Sequence, residues 1–158
     1  MKEMNKDEQM NFFKETLLKT EREGMEDLLD FMDDLGFYTA PASGGNHLCK
    51  DGGLFEHTVN VMRLAEKIGV AMLGGIAYTK IHNSVMIAAA LHDLGKCGRE
   101  GSPYYVENMI QDGKPTKKNP EQKYKRSEAK PFKISSELCH IDHPLRSVEL
   151  AARYIDLT

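Results

Sequence analysis

The stretch VMIAAALHDL, residues 85–94, limits the possible folds more than any other part of the sequence. Its first seven positions are all apolar, so a helix formed here has no polar face for water and must lie at the centre of the protein. Asn83 or Ser84 can cap the start of this helix. The stretch ends in His92 and Asp93, and a buried aspartate is costly unless it is paired or bound to a metal ion. The sequence therefore predicts a central helix that delivers a histidine and an aspartate to one site.

A second apolar pattern, residues 54–70, predicts the helix that packs against the first. Six residues at helical spacing are expected to share one buried face: Leu54, His57, Val61, Leu64, Ala65 and Ile68. Helices joined by a short connection usually run antiparallel, so the start of this helix should meet the end of the next. His57, His92 and Asp93 should then converge, with ligand atoms within ~5 Å of one another, because metal–ligand bonds are near 2 Å. Imidazole and carboxylate suit zinc, manganese, iron or nickel, and the donor types alone do not choose among them.

Further helices are predicted on both sides of this pair. Residues 10–35 contain two short amphipathic helices, and a last helix begins at His143 and continues through Ile155. Residues 37–53 form a loop rich in glycine, proline and serine, of a length that tends to line a site. A chain of 158 residues suits one domain. The predicted fold class is therefore all-α, a helical bundle built by residues 1–158.

Residues 97–133 interrupt the helical pattern with a polar insertion. Within it, residues 104–110 and 122–127 can pair as a short β-hairpin. Seven cationic residues make the insertion the basic part of an acidic chain: Lys114, Lys117, Lys118, Lys123, Lys125, Arg126 and Lys130. It is either a solvated loop or a source of positive charge for an anionic ligand beside the site. Because the whole chain has a net charge of −3, a nucleic-acid partner would have to meet such a local patch.

Composition excludes several classes of protein. An apolar share of 41% and a charged share of 28% describe a folded domain and not a disordered one. No window approaches the ~20 apolar residues of a membrane span, and the amino-terminal segment is too charged for a secretory signal, so we expect a cytoplasmic protein without a membrane partner. Cys49, Cys97 and Cys139 lack CxxC spacing, which argues against a disulfide framework or a thiolate zinc site. His47 and His82 are expected in loops or on the surface.

Two motifs carry a resemblance to a known family. GGLFEHTVNV at residues 52–61 and AAALHDLGK at residues 88–96 resemble the HD-domain superfamily of metal-dependent phosphohydrolases, whose pattern is a histidine, an adjacent His-Asp pair and a distal aspartate. The lead-in at residues 24–53 is similar to that of small bacterial and phage HD hydrolases. HPLRSVELAARYI at residues 143–155 resembles a later helix of the family. No motif of the family matches the segment from residue 98 to residue 133.

The resemblance implies roles for five residues. His57, His92 and Asp93 are implied to ligate a divalent ion, which is manganese, nickel, zinc, iron or magnesium. Lys96 is implied to contact substrate phosphate, and His143 matches a family histidine that binds metal or substrate. In the family the distal aspartate lies on a helix beyond the one that begins at His143. The printed sequence stops before such a helix, so the domain is expected to be incomplete at its carboxyl end and to bind metal weakly.

The implied chemistry is phosphate ester hydrolysis. Asp93 can ligate metal through one oxygen and orient the nucleophile through the other, and Lys96 can neutralise the phosphoryl oxygens unless it is simply a lysine favoured by the helix dipole. Tyr104 and Tyr105 either stack on a base or pack within the hairpin. The expected protein is a phosphodiesterase or nucleotidase acting on a nucleotide or oligonucleotide, with a phosphorylated small molecule or a nucleic-acid end as partner. The alternative is a degenerate or truncated HD domain that binds a nucleotide or protein without catalysis. The substrate, and whether the chain forms a homo-oligomer, stay open.

Overall fold

The computed structural model describes residues 3–117, 119–138 and 141–157. Its α-helices are α1 (Lys6–Leu18), α2 (Met25–Asp34), α3 (Gly53–Leu73), α4 (Gly75–Thr79), α5 (His82–Leu91) and α6 (His143–Ala151). A 3-10 helix, Leu94–Cys97, follows α5 directly. The short strands are β1 (Gly98–Arg99), β2 (Ser102–Pro103), β3 (Tyr105–Glu107), β4 (Met109–Gln111), β5 (Tyr124–Arg126) and β6 (Phe132–Ile134). None of the described helices is long and apolar enough to cross a membrane.

The predicted all-α class is too narrow. Helices account for 47% of the chain, and residues 98–134 form antiparallel strand pairs. Residues 54–93, all of which are described, contain no strand, as the helical prediction required. The strands form in the insertion because its short runs of aromatic and β-branched residues are separated by Gly and Pro, which favour turns over helix.

Helices α3 and α5 pack together at the centre of the molecule, as predicted. Five of the seven apolar residues in 85–91 are buried, and Met86 and Ala90 have no solvent exposure, whereas Ala88 is exposed. Helices α1 and α2 cover the pair and contribute the rings of Phe13 and Phe31 to the same core. The apolar run of α5 therefore explains its central position, because most of the surface of this helix is apolar.

The buried face of α3 differs from the predicted one. The residues of α3 that are buried are Gly53, Leu54, Phe55, Thr58, Val59 and Met62. Leu64 and Ile68 are 52% and 48% exposed, because the second half of α3 extends beyond the core. The His57 side chain is 23% exposed and lies at the edge of the buried face. This position keeps its imidazole accessible to a ligand.

Two helix ends also differ from prediction. Helix α5 begins at His82 after Ile81, and no side chain caps it, so the predicted caps Asn83 and Ser84 lie inside the helix. Only two residues separate α4 from α5, and this turn leads the chain directly into the helix. The last helix ends at Ala151, although Ile155 beyond it is still buried.

The predicted hairpin is present in its outer half. Strands β4 and β5 pair with Ile110 opposite Lys125, as the sequence suggested. Strand β3, expected to continue that hairpin, pairs instead with β6, with Val106 opposite Lys133. Asn108 joins the β3–β6 pair to the β4–β5 pair. Its backbone N–H donates to the carbonyl of Pro131, and its backbone carbonyl accepts from the Ser127 N–H, both at 2.9 Å. The insertion is therefore a broken, two-stranded ribbon. Lys118 and Cys139 lie outside the described residues.

Candidate metal centre

Helices α3 and α5 bring three side chains together at one end of the bundle. His57 lies in the second turn of α3, and His92 and Asp93 follow the last residue of α5. The Nε2 atoms of the two histidines are 3.3 Å apart. Oδ2 of Asp93 lies 3.3 Å from Nε2 of His57 and 3.2 Å from Nε2 of His92. All ligand atoms of this group lie within 4.8 Å of one another, so the predicted convergence is present in the structure.

The spacing of these three atoms suits a metal ion. Two ligand atoms each about 2.1 Å from a common ion are roughly 3.4 Å apart at a tetrahedral angle and roughly 3.0 Å apart at a right angle. The observed separations of 3.2 and 3.3 Å lie between these values. Imidazole nitrogen and carboxylate oxygen are donors that zinc, manganese, iron and nickel all accept. The separations of the described ligand atoms therefore fit a divalent transition metal ion, and the donor types suit several such ions equally.

A backbone contact fixes the orientation of His92. Its Nδ1 lies 2.8 Å from the carbonyl oxygen of Ala89, which can only accept a hydrogen bond. Nδ1 therefore carries a proton, and in the neutral ring the lone pair is on Nε2, which is turned toward His57 and Asp93. A metal-ligating histidine usually has such an outer partner, which fixes the ring and its tautomer.

Asp93 is the central residue of the group, with a side chain only 8% exposed. Its Oδ2 also accepts a hydrogen bond from Nζ of Lys96 at 2.7 Å, and its Oδ1 lies 3.3 Å from Nε2 of His143. Burial raises the pKa of the Asp93 carboxyl group, but two hydrogen bonds, one from His92 when its ring is protonated and one from Lys96, outweigh it together with the positive charge of these two groups. The net result is a pKa well below the usual range, so the carboxylate is ionised wherever the protein is folded near neutral pH.

The three histidines of the site differ in their pKa values. Burial lowers the pKa of His57 and of His143, and the nearby charge of Asp93 only partly offsets this effect. The hydrogen bond to Asp93 raises the pKa of His92 despite its burial. Metal ions bind neutral imidazole, so a metal ion bound here would displace a proton most of all from His92.

The other residues predicted for the site lie around this group. The ring of Tyr104 is 6.2 Å from that of His143 and 4.9 Å from that of Tyr105. Burial raises the pKa of Tyr105 to about 12, with smaller effects from Tyr104 and from the charge of Asp93. Both tyrosines thus lie at the start of the insertion, near the two histidines and Asp93. Their rings pack against neighbouring side chains, and stacking on a base stays a prediction.

Sequence reasoning missed three residues of the surroundings. His47 is exposed in a loop, as expected, but its ring lies 5.2 Å from the ring of His57. Arg146 is almost fully buried and donates from Nη1 to the carbonyl of Gly95 at 3.0 Å. Ser147 is buried and accepts from the Gly95 amide at 2.8 Å. The only sequence signal for the last two was their place in the helix that begins at His143, where polar residues are usually on the exposed face.

Two helices bring two histidines and an aspartate to a common point. This arrangement places the protein among helical proteins with a candidate metal centre. The chain belongs to the HD-domain family, because the family model described as HD domain matches residues 54–141, more than half of the sequence. This match includes His57, His92 and Asp93 and also the insertion. HD domains bind divalent metal ions, and the family usually consists of metal-dependent phosphohydrolases. No curated protein and no solved structure matches the chain.

Proposed function

We propose that the protein is a metal-dependent phosphohydrolase, a phosphodiesterase or nucleotidase that acts on a nucleotide or an oligonucleotide. The observation that carries the proposal is the triangle of Nε2 of His57, Nε2 of His92 and Oδ2 of Asp93, with sides of 3.2 to 3.3 Å. A lysine ammonium group lies at one corner of this triangle. Metal ligands beside a fixed cation are the combination that phosphoryl transfer requires.

The ligand residues would hold the ion and supply it with a single negative charge. His57 and His92 are neutral donors through Nε2, and Asp93 donates through Oδ2. A bound divalent ion lowers the pKa of its coordinated water from about 15.7 toward ~7 and polarises a phosphoryl oxygen. The low net charge of the ligands preserves this Lewis acidity, since each further carboxylate would neutralise part of the ion's charge.

The remaining residues orient and bind the substrate. Lys96 has a side chain 13% exposed, and its Nζ is held by Asp93, so its ammonium group is positioned before substrate arrives. Such a preorganised cation can contact a phosphoryl oxygen without reorganisation. His143 lies 3.3 Å from Oδ1 of Asp93, from where it can keep the carboxylate in place or bind the substrate. Each of these assignments is part of the proposal.

The test combines metal content with hydrolysis. The purified protein is stripped with a chelator, reloaded with manganese, nickel, zinc or magnesium, and assayed with bis(p-nitrophenyl) phosphate, p-nitrophenyl phosphate and nucleotides. Asp93→Asn keeps the shape of the side chain but removes its charge, and Asp93→Ala removes the ligand. Both are expected to lower bound metal and hydrolysis by at least about 100-fold. The matched control is Asp34→Ala, an exposed aspartate at the end of α2.

Three outcomes separate the alternatives. Loss of metal and hydrolysis in both Asp93 variants, with folding retained by circular dichroism and no loss in Asp34→Ala, supports the proposal. Hydrolysis that persists in Asp93→Ala contradicts the mechanism. Metal and nucleotide binding without any turnover by the unaltered protein contradicts the proposed activity and favours an HD domain that binds its ligand without catalysis.

A further inference from the structure

The insertion carries a charge opposite to that of the rest of the molecule. We define the basic arm as residues 105–134, the segment from β3 to β6. The arm contains eight lysine and arginine residues and four acidic residues, a net charge of +4. The whole chain has a net charge of −3, so the remainder has a net charge of −7. An anionic ligand is therefore attracted to the arm and repelled by most of the surrounding surface.

Most of the cations on the arm are available to a ligand. Two form ion pairs within the arm: Lys125 with Asp112 and Arg126 with Glu107, both at 3.3 Å. Five other lysines are exposed and have no carboxylate within 4.0 Å among the described residues: Lys114, Lys117, Lys123, Lys130 and Lys133. The first three lie in or beside the turn between β4 and β5, and the last two lie near β6. Positive charge thus extends along the arm and is not confined to one point.

Exposed apolar side chains are interleaved with these cations. Tyr124 is 58% exposed and follows Lys123 in the sequence. Because side chains alternate along a strand, its ring shares a face of β5 with Arg126, and Lys125 lies on the opposite face. Met109, Ile110 and other apolar side chains of the ribbon are also 40% exposed or more. Cations near an exposed aromatic ring are a combination that binds single-stranded nucleic acid, because phosphates contact the cations and bases stack on the ring.

The base of the arm adjoins the candidate metal centre. Tyr104, directly before β3, lies beside His143, and its carbonyl accepts a hydrogen bond from the amide of Ser135 at 2.8 Å. This bond closes the ribbon at the point where both of its strands leave the site. Strands rise about 3.3 Å per residue, so the seven residues from Tyr105 to Gln111, with a break at Asn108, extend at most roughly 20 Å from there. That length is sufficient for several nucleotides.

We propose that the basic arm binds single-stranded nucleic acid and directs one end of the strand toward the candidate metal centre. The second half of this statement rests on the proposed function, whereas the first half does not. A single strand is favoured over a duplex because only an unstacked base has a face free to stack on the ring of Tyr124, and bases in a duplex already stack on one another. Asp93 is nearly buried, so an unpaired end reaches it more easily than a duplex does.

The test measures binding of fluorescein-labelled oligonucleotides by fluorescence anisotropy. The probes are single-stranded DNA and RNA of about 12 nucleotides, within the range of about 4 to 16 covered by known single-strand sites, and the corresponding duplex. The variant Lys114→Gln, Lys117→Gln, Lys123→Gln removes three cations from the outer end of the arm. We expect at least about tenfold weaker single-strand binding and a decrease of about 2 in the slope of log affinity against log salt. Tyr124→Ala should weaken binding by at least about fivefold through lost stacking.

The matched control removes three exposed lysines elsewhere, Lys14→Gln, Lys67→Gln and Lys80→Gln, and is expected to change affinity by less than about twofold. Equal weakening by the two triple variants would overturn the proposal. Binding of the duplex as tight as that of the single strand, or equal competition by polyglutamate, would overturn it as well. Hydrolysis of bis(p-nitrophenyl) phosphate and metal content should be the same in the arm variants as in the unaltered protein. This separates failure of the arm from failure of the proposed function.

Discussion

One oxygen atom, Oδ2 of Asp93, has three polar neighbours that compete for it. Nε2 of His57, Nε2 of His92 and Nζ of Lys96 all lie within 3.3 Å of this atom. A metal ion on the two histidines would share this oxygen with the lysine ammonium group. A divalent ion and a lysine ammonium group about 4 Å apart repel by several kcal/mol at an effective dielectric constant of about 20. Under the proposed function, Lys96 would therefore weaken metal binding even as it supplied charge for a phosphate.

The substitution Lys96→Met separates these two effects. It should tighten metal binding by at least about tenfold, because a repulsion of several kcal/mol is removed while Asp93 loses only one hydrogen-bond donor. It should also lower hydrolysis by at least about tenfold, because the phosphoryl charge loses its partner. Metal affinity is measured by titration against a competing chelator, and hydrolysis is measured at saturating metal. Lys80→Met, on the exposed surface, is the control. Weaker metal binding in Lys96→Met would show that the lysine supports the ligands and does not compete with the ion.

At the scale of elements, α6 holds the turn that positions Asp93. Ser147 accepts from the Gly95 amide, and Arg146 donates to the Gly95 carbonyl. A Cβ atom at Gly95 would collide with the carbonyl of His143 in α6. The 3-10 helix and α6 therefore approach each other closely, and the position of Asp93 depends on this contact.

The substitution Ser147→Ala should lower the free energy of unfolding by about 1 to 3 kcal/mol, because a buried amide loses its acceptor. Urea denaturation measures this loss, and Ser84→Ala on the exposed side of α5 is the control. Metal affinity should also fall in Ser147→Ala, since the turn that carries Asp93 is less firmly held. An unchanged free energy of unfolding would mean that water replaces the hydroxyl group at Gly95.

The sequence predicts some of these elements and not others. Apolar periodicity locates α1, α2, α3, α5 and α6, and the two short motifs locate His57, His92 and Asp93. The pairing of β3 with β6 was not predicted, because it joins Val106 to Lys133 across a long segment and no local pattern encodes such a contact. Burial of Arg146 was missed for a similar reason: its partner Gly95 is distant in sequence, and only the folded chain brings them together.

The stability of the protein should depend on pH at both acid and alkaline extremes. The Asp93 carboxyl has a folded-state pKa below its usual value, so its contribution to stability is present above about pH 4 and lost as the pH falls further. The pKa values of Tyr38 and Tyr105 are shifted in the opposite direction, upward. Burial is the main cause that raises each pKa from 10.0 to about 12, so the folded state holds these protons more tightly than the unfolded state. Their contribution is fully present below pH 10 and is lost as the pH rises toward 12.

One substitution tests whether Tyr38 causes the loss of stability at alkaline pH. A pKa raised from 10.0 to about 12 corresponds to at most about 2 to 3 kcal/mol of stability lost across that interval. In Tyr38→Phe the free energy of unfolding should therefore fall less between pH 10 and pH 12 than it does in the unaltered protein. At pH 7 the substitution should cost nothing or stabilise slightly, because the buried hydroxyl of Tyr38 has no hydrogen-bond partner among the residues described. Urea denaturation at each pH, with tyrosinate absorbance recorded in parallel, measures both effects. An alkaline loss as large in Tyr38→Phe as in the unaltered protein would show that other groups control unfolding there.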